Sequence, residues 1–278
     1  MPGSVRVAAL QMNCQLADTA ANLAQAEALL AEVAGRADVA CLPELFTTGY
    51  NLDALGNTLF DLAEVVPAKP DDATGPTVTR LCQVASTLDL AILAGLAERD
   101  PLVTGLLFDT VVLINRHGRI CGRYRKSHLY PAEHVYFQPG QALPAFDLDG
   151  LHVGLAICFE AAFPPIFSTL ALQGVQIVFN PSAVPVGYGH LQELRTRARA
   201  QDNQYFVVAV NHVGREGDVT YCGQSQIADP RGDVVVMAPA DRPAAIVAEL
   251  DFDLIAQQRQ QEPILRGFRP EFYQFLNL

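Results

Sequence analysis

Six stretches of this chain are apolar enough to be buried strands, and segments of helical period separate most of them. VRVAALQM (Val5–Met12) is followed by an Ala/Leu-rich helix that Asp18 or Thr19 can cap and that runs to about Gly35; ADVACLPE then returns as a strand. Strand, helix, strand with near-continuous apolar runs is the pattern of an α/β unit, in which a crossover helix joins neighbouring parallel strands. Thr77–Leu88 has helical period, LAILAGLA reads as a strand, and LLFDTVVLINRHGRICGRYRK reads as two strands around the turn Asn115-Arg116-His117-Gly118. LHVGLAIC, a helix from about Pro165 to Leu172, and VQIVFN repeat the opening logic. A helix over Leu191–Asn203, the strand YFVVAVNH and a further hairpin in SQIADPRGDVVVM follow. That hairpin shares with VLINRHGRICGR the order apolar run, polar turn with glycine, apolar run, a hint of two similar halves. No Gly/Ser-rich linker or charge block divides the chain. Residues 1–278, half of them hydrophobic, therefore read as a single domain in which helices cover mixed sheets.

Bulk composition removes several function classes. A formal charge of −11 disfavours a sequence-independent grip on nucleic-acid phosphates. No segment reaches membrane-spanning length without a charge or a turn residue, and the N-terminal residues lack the form of a secretory signal, so a cytoplasmic protein is expected. Six irregularly spaced cysteines in a chain of this size argue for free thiols in a reducing compartment. The six histidines form no HxH or HxxxH pair and there is no CxxC, so no metal site is indicated. GYGHLQ holds only two glycines of a dinucleotide fingerprint, no phosphate-cradling GxxxxGK[ST] exists, and GQSQI lacks the second glycine of a serine-hydrolase elbow. No cofactor is expected, and cysteine or acid–base chemistry remains.

Three polar residues interrupt or follow apolar runs where a sheet would end: Glu44 in CLPELFTTGY, Lys126 in GRYRKSHLYPAEH and Cys158 in GLAICFEAAFP. Taken singly, a free cysteine there reads as core and a terminal Glu or Lys as solvated. Taken together they sit where α/β sheets gather ligand chemistry, outside the strand carboxyl ends. PELFTTGY, RKSHLYPAE and GLAICFE, in this order, resemble the three catalytic motifs of the nitrilase superfamily of carbon–nitrogen hydrolases. The AALQM entry strand, EHVYFQPG, FNPSA, RAQDNQYFVVAVN and GQSQIADPRGDVV also resemble segments of that family, with Asp202 where a glutamate is commoner.

The resemblance implies an α/β fold of the α-β-β-α four-layer sandwich type with mixed sheets, paired into a homodimer or larger homo-oligomer. It implies Cys158 as nucleophile, Glu44 as base, Lys126 (with the Phe159 N–H) facing the oxyanion, and Glu133 positioning Lys126 or the substrate. Phe159 stands where nitrilases proper usually carry tryptophan, so nitrile hydrolysis is disfavoured. Ala161 and Ala162 stand where N-carbamoyl-amino-acid hydrolases carry a carboxylate-gripping arginine, and none follows before Arg195. Tyr50, Tyr136, Phe159 and Ala183 are expected to contact substrate in an apolar-walled pocket also near Phe46 and Phe163, and Glu160, also expected at the substrate, would with the acidic overall balance tolerate a substrate bearing an amine. The reading is an amidase for small aliphatic or amino-acid amides, with an N-carbamoyl-amine hydrolase as the alternative. The absence of an attached synthetase weighs against an ammonia-donating glutaminase domain, and the intact base, cation and thiol weigh against a pure binding protein.

Overall fold

In a computed structural model, described for residues 3–68, 74–269 and 271–273, the chain opens with strand β1 (Ser4–Gln11) and helix α1 (Thr19–Val33). Asp18 caps that helix, accepting from the Ala21 N–H at 2.9 Å. Strand β2 (Val39–Cys41), two short helices α2 (Leu52–Leu55) and α3 (Thr58–Leu62), and helix α4 (Pro76–Leu88) follow. Strands β3 (Ala91–Arg99), β4 (Leu107–Ile114) and β5 (Ile120–Arg125) complete the first half. The second half runs through β6 (Phe146–Leu148), β7 (Leu151–Leu155), α5 (Pro164–Leu172), β8 (Ile177–Ser182), α6 (Gly189–Asn203) and β9 (Phe206–Asn211). A small hairpin, β10 (Val213–Glu216) and β11 (Val219–Cys222), precedes the pair β12 (Gln226–Ala228) and β13 (Val234–Met237). Strand β14 (Ala244–Asp251) and helix α7 (Asp253–Gln261) follow. The terminal residues and 69–73, included in the expected single domain, lie outside the described residues.

The strands form two six-stranded mixed sheets, in the orders β14-β1-β2-β3-β4-β5 and β13-β12-β9-β8-β7-β6. Each has a parallel centre, β1–β2–β3 in one and β7–β8–β9 in the other. The two hairpins that look alike in sequence occupy equivalent places: β4–β5 extends the first sheet antiparallel from β3, and β12–β13 extends the second from β9. The similarity of the halves is thus one of topology as well as pattern.

Apolar side chains on both faces of the sheets dictate the layering. Val7, Cys41, Leu93 and Val111 of the first sheet pack against Val153, Ile177, Phe179 and Val208 of the second in a shared inner core. The opposite face of the first sheet (Ala8, Leu10, Ala40, Ile92, Val112) packs on Ala26, Leu30, Val78 and Leu81 of α1 and α4. Val178 and Val207 of the second sheet pack on Phe167, Leu170 and Ala200 of α5 and α6. The result is the four-layer α-β-β-α sandwich. Among the described residues no helix is long and apolar enough to cross a membrane.

The segment after β2 has to pass unusually close to β3. A Cβ built on Gly95 would lie 2.5 Å from the Pro43 carbonyl oxygen and 2.8 Å from Glu44 Cα. Both contacts are with backbone, so they cannot be relieved by a rotamer change. Gly95→Ala is therefore expected to lower stability by about 1–3 kcal/mol and to shift the Glu44 segment, read as a lower thermal midpoint together with reduced turnover; an unchanged midpoint would contradict this packing account.

Candidate active site

Strand ends deliver the polar groups. Lys126 directly follows β5, where its N–H donates to the Asp109 carbonyl at 2.8 Å. Its side chain is fully buried, and its ammonium donates to Glu44 Oε1 and to Glu133 Oε1, each at 2.6 Å, with Asp109 Oδ2 at 3.4 Å. Glu133 lies in a 3-10 turn, Pro131–Val135, and is held on both oxygens: Oε1 also accepts from the Tyr50 hydroxyl at 2.5 Å, and Oε2 from the Tyr130 N–H at 2.8 Å. Glu44 Oε2 is buried and accepts no hydrogen bond among the described residues.

One ammonium cannot neutralise three buried carboxylates. Oxygens of Glu44, Asp109 and Glu133 lie within 4.8 Å of one another, and the Lys126 ammonium occupies the position among them where a cation is required. Burial alone would lower the Lys126 pKa, but Glu44, Glu133 and Asp109 together hold it well above the usual lysine range. Burial drives Asp109 well above the usual carboxylate range, with Glu44 and Glu133 adding to the effect against Lys126, and burial also raises Glu133. Asp109 is thereby biased toward its protonated form. Sequence reading missed this residue, although a lone acid inside the apolar run LLFDTVVLI was its signal.

Cys158 opens a 3-10 turn, Cys158–Ala162, beyond the end of β7, with φ of 46°. That left-handed conformation is unfavourable for a side-chain-bearing residue and is maintained only when the surroundings determine it. Asn180 at the end of β8 does part of this, donating to the Ala156 carbonyl at 2.5 Å and to the Cys158 carbonyl at 3.5 Å. Burial, and then the Glu44 charge, push the Cys158 thiol well above its ordinary range, while Lys126 and the Ala183 backbone N–H pull the other way. The resting group is a thiol.

Glu160 does not take the place expected of it. It is fully buried and is not among the residues lining the cavity at Cys158; Oε1 accepts from the Tyr124 hydroxyl at 2.7 Å, the Ser127 hydroxyl at 2.5 Å, and the Ser127 and His128 N–H groups at 2.8 and 3.2 Å. Oε2 accepts from the Ile157 N–H at 2.6 Å. With both oxygens engaged, it ties the segment after Lys126 to the turn that carries Cys158, and the expectation of a substrate contact is corrected.

Cys158 lines a cavity of about 170 Å³ together with Tyr50, Tyr130, Phe159, Ala183, Val184, Pro185, Tyr188, Leu191 and Arg195. Tyr50, Phe159 and Ala183 are where substrate contacts are expected. Tyr136 is not: its ring packs against Phe60, in the cluster of Leu45, Leu52 and Leu59, because the turn carrying Glu133 directs the neighbouring Tyr130 to the cavity instead. Phe46 is fully buried against α1 and α4, and Phe163 lies behind Phe159, edge to face at 5.3 Å.

A second buried group braces the Glu44 segment. His212 directs Nε2 at the Glu44 carbonyl, 2.5 Å away, and Nδ1 at Glu216 Oε1, 2.9 Å away. Two acceptors require two N–H donors, which is the imidazolium. Burial alone would lower the His212 pKa, but Cys14 and Glu216 hold it well above the usual histidine range. Glu216 also accepts from the Tyr50 and Asn51 N–H groups at 2.7 and 3.0 Å, so the small hairpin clamps the loop bearing Glu44 and Tyr50.

These features, a four-layer sandwich with a carboxylate, an ammonium and a thiol gathered at strand ends, define the nitrilase superfamily. A sequence profile described as carbon-nitrogen hydrolase matches residues 6–260, and the chain belongs to that family. It is 34% identical to a nitrilase of Pyrococcus abyssi, over 97% of this chain and 99% of the relative. It is 31% identical to an (R)-stereoselective amidase of a Pseudomonas species, over 95% and 92%. The crystal structure of Nit3 of Saccharomyces cerevisiae, a branch 10 member of the superfamily, superposes with a TM-score of 0.87 at 26% identity, covering 96% of this chain and 98% of Nit3.

Glu160 gives a pH signature. Burial would raise its pKa, but hydrogen bonds from His128, Ser127, Tyr124 and Ile157 outweigh burial and hold the carboxylate below its usual range. Its folded-state pKa is therefore below the unfolded value of roughly 4.3. The stability it contributes is complete above that value and is lost as pH falls through the folded pKa. Glu160→Gln is expected to be less stable than wild type by about 2–4 kcal/mol at pH 7 and to lose stability less steeply below about pH 4.3. Denaturant titrations from pH 7 to 3 read both, and parallel curves would contradict the assignment.

Proposed function

We propose that this protein hydrolyses the C–N bond of small linear amides, yielding a carboxylic acid and ammonia through a thioester on Cys158. The observation that carries this reading is the Lys126 ammonium fixed at 2.6 Å from Glu44, whose other oxygen has no partner, in the same site as a thiol at the cavity wall. An unactivated amide needs a nucleophile, a base to form it and positive charge at the oxyanion, and these residues can supply each.

As the sulfur of Cys158 attacks the carbonyl carbon, its proton passes to Glu44. A standing thiolate is disfavoured by burial and by the neighbouring carboxylate, so proton removal accompanies S–C bond formation. Lys126 and the N–H of Phe159 stabilise the oxyanion. Phe159 is the second residue of its helical turn, where backbone amides lack partners within the turn. Collapse breaks the C–N bond, and Glu44 returns the proton to the departing ammonia. Water then gives a proton to Glu44 and its hydroxyl to the thioester carbon; the C–S bond breaks, the acid leaves, and the proton returns to sulfur. Glu133, bonded to Lys126 and Tyr50, keeps the ammonium aimed.

The similarity to an (R)-stereoselective amidase supports an amide substrate, and the similarity to a nitrilase places nitriles in the test panel. Ammonia and carbon dioxide are to be measured across amides, ureido compounds and nitriles. Ammonia without carbon dioxide, from amides, is expected; carbon dioxide from ureido compounds would instead indicate the N-carbamoyl-amine reaction, and activity on nitriles alone would reject both. Cys158→Ala is expected to fold and to lose turnover by at least about 10⁴-fold; full turnover by that variant would overturn the nucleophile assignment.

A further inference from the structure

Three arginines of α6 have different surroundings. Arg197 pairs with Glu193 at 3.6 Å and donates to the Gly232 carbonyl at 2.9 Å. Arg199 pairs with Asp202 at 3.4 Å and donates to the Ala161 carbonyl at 3.2 Å. Arg195 has neither a hydrogen bond nor an ion pair among the described residues, although it is half-buried and lines the same cavity as Cys158. Every other wall residue of that cavity is apolar, aromatic or the thiol itself. In a chain of net charge −11, with acids outnumbering bases 30 to 19, this guanidinium still has no acid paired with it among the described residues.

A guanidinium partly withdrawn from water beside apolar walls gains most from a planar anion, because its fork of N–H groups matches a carboxylate on two bonds. No acid on the cavity wall competes for it, since the acid nearest to Cys158 in sequence, Glu160, is sealed beneath the turn. Arg195 and Cys158 line one cavity of about 170 Å³, so a single short molecule can reach both. The arginine lies far from the cysteine in sequence and approaches it only because α6 packs on the turn that carries Cys158.

Building on the amidase reading, we propose that Arg195 binds a carboxylate carried by the substrate, so that the preferred substrates are small amides bearing a carboxylate in addition to the amide attacked by Cys158. The products are then a small dicarboxylate and ammonia. This departs from the reading in which Glu160 and the acidic overall balance tolerate an amine-bearing substrate.

The test compares succinamate with succinamide, its neutral isostere. Wild type is expected to prefer succinamate in kcat/KM by roughly 10- to 100-fold, the value of a charge-assisted hydrogen-bonded pair. Arg195→Gln is expected to bring that ratio near unity, chiefly through KM, and Arg195→Lys to retain part of it. Equal use of both amides by wild type, or a ratio retained in Arg195→Gln, would overturn the proposal. Calorimetric binding of the same two compounds to Cys158→Ala protein, with and without Arg195→Gln, separates this from the proposed activity. A preference for succinamate that depends on Arg195, with no hydrolysis of either compound by wild type, would reject the amidase reading and sustain the carboxylate site. Equal binding of both compounds, or binding of neither, would reject the carboxylate site whatever the turnover.

Discussion

The buried ammonium of Lys126 is the interaction on which the site depends. Without it, Glu44, Glu133 and Asp109 would bring three carboxylates into one dry pocket, a cost of several kcal/mol per uncompensated charge. With it, Glu44 and Glu133 are fixed by short bonds, and Asp109 lies 3.4 Å from the same ammonium. Each partner comes from a different part of the first half: Glu44 from the segment after β2, Asp109 from β4, and Glu133 from the turn after β5. The close passage over Gly95 places the Glu44 segment, so the register of three strands becomes the geometry of one cation.

Two connections couple this first-half cluster to the thiol on the second half. Glu160 gathers donors from Tyr124, Ser127 and His128 on one side and Ile157 on the other, locking the Cys158 turn to the chain just beyond Lys126. His212, following β9, reaches back to the Glu44 carbonyl, and the adjoining chain pairs with β1 through the Val213 N–H to Met12 carbonyl bond of 2.8 Å. Both are fully buried and hydrogen-bonded on all their reactive atoms. Their hydrogen bonds hold the Cys158 turn and the Glu44 segment in one site.

Much of this was legible in the residues. Buried strands are near-continuous apolar runs, and the helices between them carry caps and periods that can be read locally, as with Asp18 before α1. The short helices α2 and α3, the hairpin β10–β11 and the strand β14 were not read, because their runs are short, polar or only weakly alternating. For the site, Glu44, Lys126 and Cys158 could be proposed because motifs fix their order. Direction was harder: Tyr130 and Tyr136 flank one 3-10 turn and only the former meets the cavity, while Glu160 points inward from a turn that opens on Cys158 with a φ of 46°. Arg195 lies 37 residues from Cys158 in sequence, and only the packing of α6 on the Cys158 turn brings the two to one cavity.

The most direct measurement is mass spectrometry of intact protein quenched during turnover of a slow amide, followed by peptide mapping. A covalent adduct with the mass of the amide minus the ammonia lost is expected on Cys158 alone among the six cysteines. The adduct is also expected to disappear as the acid is released. An adduct on Cys14, Cys41, Cys82, Cys121 or Cys222, or turnover with no acyl-enzyme under conditions where deacylation is the slow step, would contradict this account.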